Sequence, residues 1–179
     1  PMARLIAAAE QQGCDVIEGT APVMDAISPV RSSSTVVALA DRPPSSDRAY
    51  LRTPAFVVIA CDVQDPGNLG AMIRVAEGAG ATGLVAAGGS ADPFGWKALR
   101  GSMGSALRLP VTRQPDVVAA LDEARARGCR VVATVPRGGV PFYRADFTRP
   151  TALLIGGEGR GLEAAVIDDA DERVTIPMT

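Results

Sequence analysis

Residues 62–81, DVQDPGNLGAMIRVAEGAGA, join a predicted strand to a predicted helix and decide the fold class of this chain. The strand lies directly before them, because residues 55–61 (AFVVIAC) form a short apolar run rich in Val and Ile. Such a run is typical of a strand that is buried on both faces of a parallel sheet. A loop between the carboxyl end of such a strand and a helix N-terminus is where open α/β sheets bind ligands.

The helix after the turn is predicted from four apolar residues at positions i, i+3, i+4 and i+7, which line one helix face. These residues are Leu69, Met72, Ile73 and Ala76. Arg74 lies off that face. Pro66 and Gly67 favour a turn, and Asn68 stands where we expect the N-cap, with an amide oxygen that can accept from free backbone N–H groups.

The composition indicates a folded globular protein. The chain has 179 residues, of which 47% are hydrophobic and 21% charged. This length suffices for one α/β core, or for one domain and part of another. No apolar run approaches the roughly 20 residues of a membrane span, and no signal-peptide pattern begins the sequence. We therefore expect a cytoplasmic protein without a membrane partner.

The sequence contains no histidine. This excludes Ser-His-Asp hydrolysis, Cys-His chemistry and ordinary zinc catalysis, and it leaves acid–base work to carboxylates, arginine, tyrosine or the substrate itself. The three cysteines, Cys14, Cys61 and Cys129, do not have the spacing of metal ligands. We interpret them as small buried apolar residues and expect no metal site.

The net charge of -2 and the isoelectric point near 5.2 are not typical of a nucleic-acid-binding protein. Nearly all the positive charge is arginine, however, and Lys97 is the only lysine. Arginine binds phosphate in a bidentate manner, so an arginine-lined face can bind RNA even when the total charge is slightly negative. A coding bias towards arginine explains the composition equally well, and composition alone leaves both explanations open.

The first part of the chain has the pattern of a small separate domain. Its predicted elements are a helix that Gly13 ends, an extended segment at 14–17, a short helix at 23–27 and a strand at 35–39 (TVVAL). Residues 40–54 are polar and rich in proline, which is typical of an exposed linker. We therefore predict a domain boundary near Tyr50, with domains at 1–49 and 50–179.

The rest of the chain alternates between strands and helices. We predict strands at 55–61, 83–87, 107–111, 130–135, 151–155 and 173–176, and helices at 69–79, 95–103 and 116–127 with a short one from Leu162. Alternation of this kind predicts an α/β fold with a parallel sheet and helices on both faces.

A second glycine-rich segment, LLIGGEGRGL at 153–162, also follows an apolar strand. It does not match a phosphate-binding P-loop, because no Lys-Ser/Thr pair follows it. Taken alone it is either a tight structural turn or a ligand loop. Glu158 is its most informative residue, because a carboxylate among glycines at a strand end has little packing function.

Four separated motifs together resemble the SpoU/TrmH family of RNA ribose 2′-O-methyltransferases. They are DPGNLGAMIRVAEGAG, DPFGWKALRGSMGSALRLPV, LLIGGEGRGL and VTIPMT, in this order. The resemblance covers roughly residues 55–179. Residues before the linker also resemble the second half of an L30e-like RNA-binding domain that many family members carry.

The resemblance implies a SPOUT fold with a C-terminal trefoil knot, a homodimer, and S-adenosylmethionine as the methyl donor. By position, the cofactor loops of the family match Thr134, Val135 and Pro136, then Gly156 and Gly157, and then Ile176 and Met178. Glycine suits the second loop, because a side chain there would obstruct a cofactor.

The resemblance also implies catalytic roles for Arg74, Asn68 and Glu158. Arginine is a poor base, so we expect Arg74 to bind the target phosphate or to stabilise a developing alkoxide, and the proton acceptor stays open. An ion pair with Glu77 on a solvated helix face is the alternative for Arg74. Arg74, Arg100 and Ser102 are the candidate RNA contacts, although a helix-terminal surface role fits the last two equally well.

The family continues beyond the position of Thr179 with a Ser-Leu-Asn segment and a last helix. We expect the chain to be part of a longer protein that supplies them; the alternative is an incomplete cofactor pocket. The front segment favours ribosomal RNA, most simply 23S rRNA, as substrate. Transfer RNA is the alternative substrate, and a non-catalytic RNA-binding or dimerisation module is the alternative function. An NAD-binding Rossmann enzyme would need an acidic residue after the second strand, and residues 84–89 offer none.

Overall fold

The structure is a computed structural model that describes residues 2–28, 35–43 and 47–178. The chain forms two compact units, Pro1–Asp41 and Arg42–Thr179. The domain boundary that the sequence places near Tyr50 stays a prediction, because a compact unit is not the same as a domain. In space, the turn Asp47–Tyr50 belongs to the second unit, where Ala49 is fully buried and its carbonyl accepts from Thr82 Oγ1 over 2.6 Å.

The described part of the first unit is helical. Its elements are α1 (Met2–Gln11), followed by Gly13 with a φ of 77°, and α2 (Ala21–Ile27). The prediction of a strand at 35–39 is wrong, and the extended segment predicted at 14–17 is not a paired strand, because these residues form no strand pairing within 2–28 and 35–41. A strand forms only where a neighbour completes its backbone hydrogen bonds. Cys14 is exposed, so its predicted burial is also wrong.

The second unit is a seven-stranded sheet in which every paired strand is parallel to its neighbour, which confirms the predicted fold class. The strands are β1 (Phe56–Cys61), β2 (Gly83–Ala87), β3 (Val111–Gln114), β4 (Arg130–Thr134), β5 (Val140–Pro141), β6 (Thr151–Gly156) and β7 (Glu172–Thr175). Their order in the sheet is β3-β2-β1-β6-β4-β7-β5. The late strand β6 therefore lies beside the first strand.

Helices cover both faces of this sheet. They are α3 (Pro66–Gly78), α4 (Trp96–Ser102), α5 (Val117–Ala126) and α6 (Ala164–Asp169), with 3-10 turns at Ser105–Leu107 and Phe142–Arg144. Alternate residues of β1 point to opposite faces, as strand geometry requires. Val57 and Ile59 pack with α5 and α6, whereas Val58 packs on the other face with α3.

One prediction about the sheet is wrong, and one strand was missed. The strand predicted at 107–111 begins only at Val111, because Ser105–Leu107 forms a 3-10 turn and Pro110 has no N–H to donate to a ladder. The strand β5 was not predicted, since two residues are too few for an alternating pattern. The free thiols of Cys61 and Cys129 are buried as expected.

Candidate functional site

Four neighbouring strands, β1, β6, β4 and β7, end at one edge of the sheet. Because all of them are parallel, their carboxyl ends meet there, with Cys61 of β1 beside Gly156 of β6 and Thr134 of β4 beside Val174 of β7. The last residues of these strands and the segments that follow them hold most of the residues singled out from the sequence. Open α/β sheets bind ligands at this edge.

Asp65, and not Asn68, caps helix α3. Its Oδ1 accepts from the backbone N–H of Asn68 over 2.8 Å, and Pro66 occupies the first turn of the helix. Proline is favoured at the first helical position because it has no N–H to lose there. The sequence interpretation of Asn68 as the N-cap is therefore wrong. Since Asp65 does the capping, the side-chain amide of Asn68 is available for another contact.

That contact is with Glu158. Asn68 Nδ2 donates to Glu158 Oε1 over 2.8 Å, so the structure brings together two of the three predicted catalytic residues. This bond lowers the pKa of the Glu158 carboxyl, and the backbone N–H groups of Glu158 itself, Gln64 and Asp65 lower it further. Glu158 is exposed and is a carboxylate at neutral pH. The loops after β1 and β6 thus form one hydrogen-bonded unit.

Gly156 and Gly157 are required by the protein's own backbone. A Cβ on Gly156 would lie 2.2 Å from the carbonyl carbon of Gly161, and one on Gly157 would lie 2.1 Å from the carbonyl oxygen of Asp62. Both distances are far below van der Waals contact. The expected reason for these glycines, clearance for a cofactor, is therefore not needed to explain them.

The alternative interpretation of Arg74, an ion pair with Glu77, is wrong. Glu77 instead binds Arg108 through two hydrogen bonds of 2.6 and 2.8 Å. Arg74 is exposed, and its Nη1 lies 3.0 Å from Met103 Sδ. A thioether sulfur is a weak hydrogen-bond acceptor. Among the described residues, no recorded contact joins Arg74 to Asn68 or Glu158. Its guanidinium thus has no carboxylate partner in that part of the chain.

Ser102 does not lie on the surface. It is fully buried, and its Oγ donates to the carbonyl of Leu99 over 2.8 Å. The cause is the close approach of α3 and α4, where a Cβ on Gly70 would lie 2.9 Å from the Ser102 nitrogen. The prediction of Ser102 as an RNA contact is therefore wrong. Arg100 is exposed and stacks on Trp96, with the guanidinium carbon 5.8 Å from the ring centre.

The predicted cofactor residues lie at the ends of three adjacent strands and in the loops that follow them. Thr134 Oγ1 donates to the carbonyl of Leu154 over 2.8 Å, and Val135 N donates to the carbonyl of Val174 over 2.8 Å, so their polar groups bind within the sheet. Pro136 accepts from Thr175 Oγ1 over 3.1 Å. Ile176 and Met178 are 69% and 87% exposed, which is unusual for large apolar side chains.

Sequence reasoning missed three residues that shape this edge: Asp62, Asp65 and Ser90. An available signal for Asp65 was its place before Pro66, since an acidic N-cap followed by proline is a common helix start. Asp62 gave no such signal. Its backbone has a φ of 56°, a conformation that is rare outside glycine and that the local sequence does not predict. Ser90 is buried and binds the same loop, a contact that no local pattern encodes.

Within the described residues, no cluster of acidic or cysteine side chains is arranged to hold a metal ion. Burial raises the pKa of the Cys61 thiol to about 12, so this thiol is not a nucleophile at neutral pH. Nor does the described part of the chain contain a helix of the length and apolarity that crossing a membrane requires.

Residues 55–179 match the model of the SpoU rRNA Methylase family. The chain is 38% identical over 128 residues to the 23S rRNA (guanosine(2553)-2′-O)-methyltransferase RlmP of Bacillus subtilis, covering 72% of this chain and 51% of the relative. It is 38% identical over 149 residues to the 23S rRNA (uridine(2479)-2′-O)-methyltransferase of Streptomyces viridochromogenes, covering 80% and 52%. The chain thus spans about half the length of these curated relatives.

Solved structures give the same result. The SpoU methyltransferase AviRb from Streptomyces viridochromogenes, in complex with AdoMet, superposes with a TM-score of 0.72 at 37% identity, covering 76% of this chain and 54% of that one. An AdoMet-bound rRNA methyltransferase from Sinorhizobium meliloti superposes with a TM-score of 0.84 at 30% identity, covering 99% and 69%. Both structures support the family assignment made from residues 55–179.

Proposed function

The chain belongs to the SpoU rRNA methylase family, and from this membership we propose that it transfers a methyl group from S-adenosylmethionine to the 2′-hydroxyl of a ribose in RNA. The contact between Asn68 and Glu158 carries the proposal, because it joins two motifs of the resemblance at the ligand-binding edge of the sheet. Since the chain spans about half of its curated relatives, the activity of the whole protein is part of the proposal.

We propose that the cofactor binds at the edge formed by β6, β4 and β7. S-adenosylmethionine supplies an electrophilic methyl group on a sulfonium centre. We assign its binding to Thr134, Val135, Pro136, Gly156, Gly157, Ile176 and Met178. The exposed side chains of Ile176 and Met178 support this assignment, because small-molecule sites are lined largely by apolar side chains.

Arg74 is proposed to bind the RNA phosphate or to stabilise the alkoxide that develops on the ribose. Two observations support it: Glu77 is bound to Arg108, and Arg74 contacts only a thioether among its recorded partners. A guanidinium that no carboxylate engages can direct its N–H donors and its uncompensated positive charge to an oxyanion. Arg74 is not proposed as the base, because a guanidinium in a protein stays protonated.

Glu158 and Asn68 are proposed to orient the site. A general base is most effective when its pKa is near the working pH, and the pKa of Glu158 is lowered by Asn68 and by backbone N–H groups. Glu158 is therefore better suited to accept hydrogen bonds than protons. The proton acceptor for the ribose hydroxyl stays unassigned among the residues of this chain.

Ribosomal RNA, most simply 23S rRNA, is the proposed substrate. Two relatives are named as 23S rRNA methyltransferases. The resemblance of residues 1–49 to part of an L30e-like RNA-binding domain, drawn from the sequence, favours the same substrate. The exposed pair of Arg100 and Trp96 supports an RNA-facing role for Arg100, since bases stack on aromatic rings and guanidinium planes. A cytoplasmic location, a homodimer, the L30e-like domain and the trefoil knot are parts of the same proposal.

Methyl incorporation tests the function directly. Purified protein is incubated with unmodified 23S rRNA or bulk tRNA and with labelled S-adenosylmethionine, and the modified nucleotide is mapped by its 2′-O-methyl group. We expect incorporation into rRNA, and its loss in Arg74→Ala with unchanged circular dichroism. Arg149→Ala, at an exposed arginine before the start of β6, is the matched control and stays active.

Three results would change the proposal. Full activity of Arg74→Ala contradicts the role of Arg74, and methylation of tRNA alone replaces the substrate. A calorimetric titration with S-adenosylmethionine that gives no heat contradicts the enzyme and favours a non-catalytic RNA-binding module with the same fold.

A further inference from the structure

We propose that Asp62 is a positioning residue for the methyl-transfer site, because its carboxylate fixes the loop 62–65 that holds Glu158. This inference rests on the function proposed above. Asp62 is not among the motif residues assigned to catalysis or to cofactor binding. It lies directly after β1 and is half-buried.

The backbone of Asp62 adopts a conformation that an aspartate rarely takes. Its φ is 56°, a value that only Met103 approaches among the other non-glycine residues that the structure describes. A residue in this conformation persists only where its surroundings determine it strongly. For Asp62 the determinant is a hydrogen bond of 2.6 Å from the backbone N–H of Gly89 to its Oδ1.

The loop after β2 is shaped to receive this carboxylate. A Cβ on Gly88 would lie 2.5 Å from Asp62 Oδ1, and one on Gly89 would lie 3.2 Å from it, so the two glycines leave the space that the carboxylate fills. The next residue continues the attachment, because Ser90 Oγ accepts from the N–H of Val63 over 3.0 Å. Ala91 N in turn donates to the carbonyl of Val63 over 2.9 Å.

The other side of Asp62 touches the loop of Glu158. Gly157 packs so closely on the Asp62 carbonyl that a Cβ there would lie 2.1 Å from the oxygen. Two and three residues further along, the backbone N–H groups of Gln64 and Asp65 contribute to the lowered pKa of the Glu158 carboxyl. A displacement of Asp62 therefore moves both the residue that precedes Glu158 and the N–H groups that stabilise its charge.

Two substitutions separate the hydrogen bond from the backbone conformation. Glycine adopts positive φ without strain, so Asp62→Gly removes the carboxylate and keeps the backbone allowed. Asp62→Asn keeps an oxygen that accepts from Gly89 and removes only the charge. Asp116 and Glu163 line the same cleft of about 290 Å³ as Asp62, so removal of the Asp62 charge changes the electrostatics of this cleft. Both variants remove that charge, so an effect of charge alone would appear equally in both.

We expect Asp62→Gly to lower kcat by roughly 10-fold to 100-fold, as misplacement of a reacting group does, with KM for S-adenosylmethionine within about twofold. Asp62→Asn should restore most of the activity. The control is Asp146→Gly, which removes a similar contact, the acceptor for Thr148 N, in the segment that precedes β6, and should leave kcat unchanged. Equal losses in Asp62→Gly and Asp62→Asn would overturn the inference.

A second measurement does not depend on activity. Carbon-detected NMR of the carboxyl groups follows the titration of Glu158 in the wild type and in the variants. If the loop 62–65 holds Glu158, the pKa of Glu158 rises in Asp62→Gly and stays lowered in Asp62→Asn. If the pKa of Glu158 rises in Asp62→Gly but the protein methylates no RNA, the proposed function is refuted and the structural role of Asp62 stands. If both the pKa of Glu158 and kcat are unchanged in Asp62→Gly, the inference is overturned.

Discussion

The side-chain amide of Asn68 donates a 2.8 Å hydrogen bond to Glu158, a residue 90 positions further along the chain. The bond exists because β6 inserts beside β1, which brings the loops after these two strands into contact. Asp65 makes it possible by capping α3 in place of Asn68. The two motifs therefore act as one unit at the edge of the sheet.

A double-mutant cycle tests whether the two side chains act together. We expect Asn68→Ala and Glu158→Gln each to lower single-turnover methyl transfer by about tenfold or more, and the double variant to be no slower than the worse single one. Groups that work as a unit are non-additive in this way. Additive losses in the cycle would mean that the two residues act separately.

Gly157→Ala should destabilise the second unit by about 1–3 kcal/mol, because a Cβ would overlap the carbonyl oxygen of Asp62. Urea unfolding measures the loss. Gly78→Ala is the control: Gly78 ends α3 with nothing within 4 Å of its Cβ position, so alanine there should be neutral or stabilising by up to roughly 1 kcal/mol. Equal stabilities of the two variants would contradict the close approach of 157 to 62.

The two aspartate caps provide a matched pair. Asp65 accepts from Asn68 N at the start of α3, and Asp116 accepts from Val118 N at the start of α5. Replacing either with alanine should cost about 1 kcal/mol of unfolding free energy, the usual value of an N-cap. Only Asp65→Ala should also slow methyl transfer, because it releases Asn68. Loss of activity in Asp116→Ala alone would place the site at the start of α5 instead of α3.

The pair of Glu77 and Arg108 should make stability depend on acid pH. Its hydrogen bonds to Arg108 lower the pKa of Glu77 from 4.5 to about 2 in the folded protein. The folded state therefore binds a proton on the Glu77 carboxyl less readily than the unfolded state does. The stabilisation is complete above pH 4.5 and is lost as the pH falls towards 2. Thermal unfolding of the wild type and of Glu77→Gln between pH 7 and 2 measures it.

The difference in Tm between these two proteins should be small, because the pair is exposed, and should disappear near the lower limit of this range. The difference in Tm between the wild type and Arg108→Gln should depend on pH in the same way, since this substitution removes the other partner of the pair. A difference in Tm that stays constant down to pH 2 would contradict the assignment.

The sequence by itself determined the fold class and the family. Short apolar runs such as 55–61 and 151–155 predicted buried parallel strands, because burial on both faces demands apolar residues at every position. The helical spacing from Leu69 to Ala76 predicted the buried face of α3, since 3.6 residues per turn fix which side chains share a face. The four motifs then identified the family from residues 55–179, and they selected Arg74, Asn68 and Glu158 as candidates.

Only the tertiary structure decided how those candidates are held. Ser102 is buried because α4 packs against Gly70, Glu77 binds Arg108 and not Arg74, and Asp62 fastens the loop before α3 to the loop after β2. Each of these contacts joins residues that are at least 27 positions apart. Local patterns encode helices and strands, whereas such contacts depend on the order in which the strands join the sheet. That order is set by packing of the whole unit, with β6 between β1 and β4.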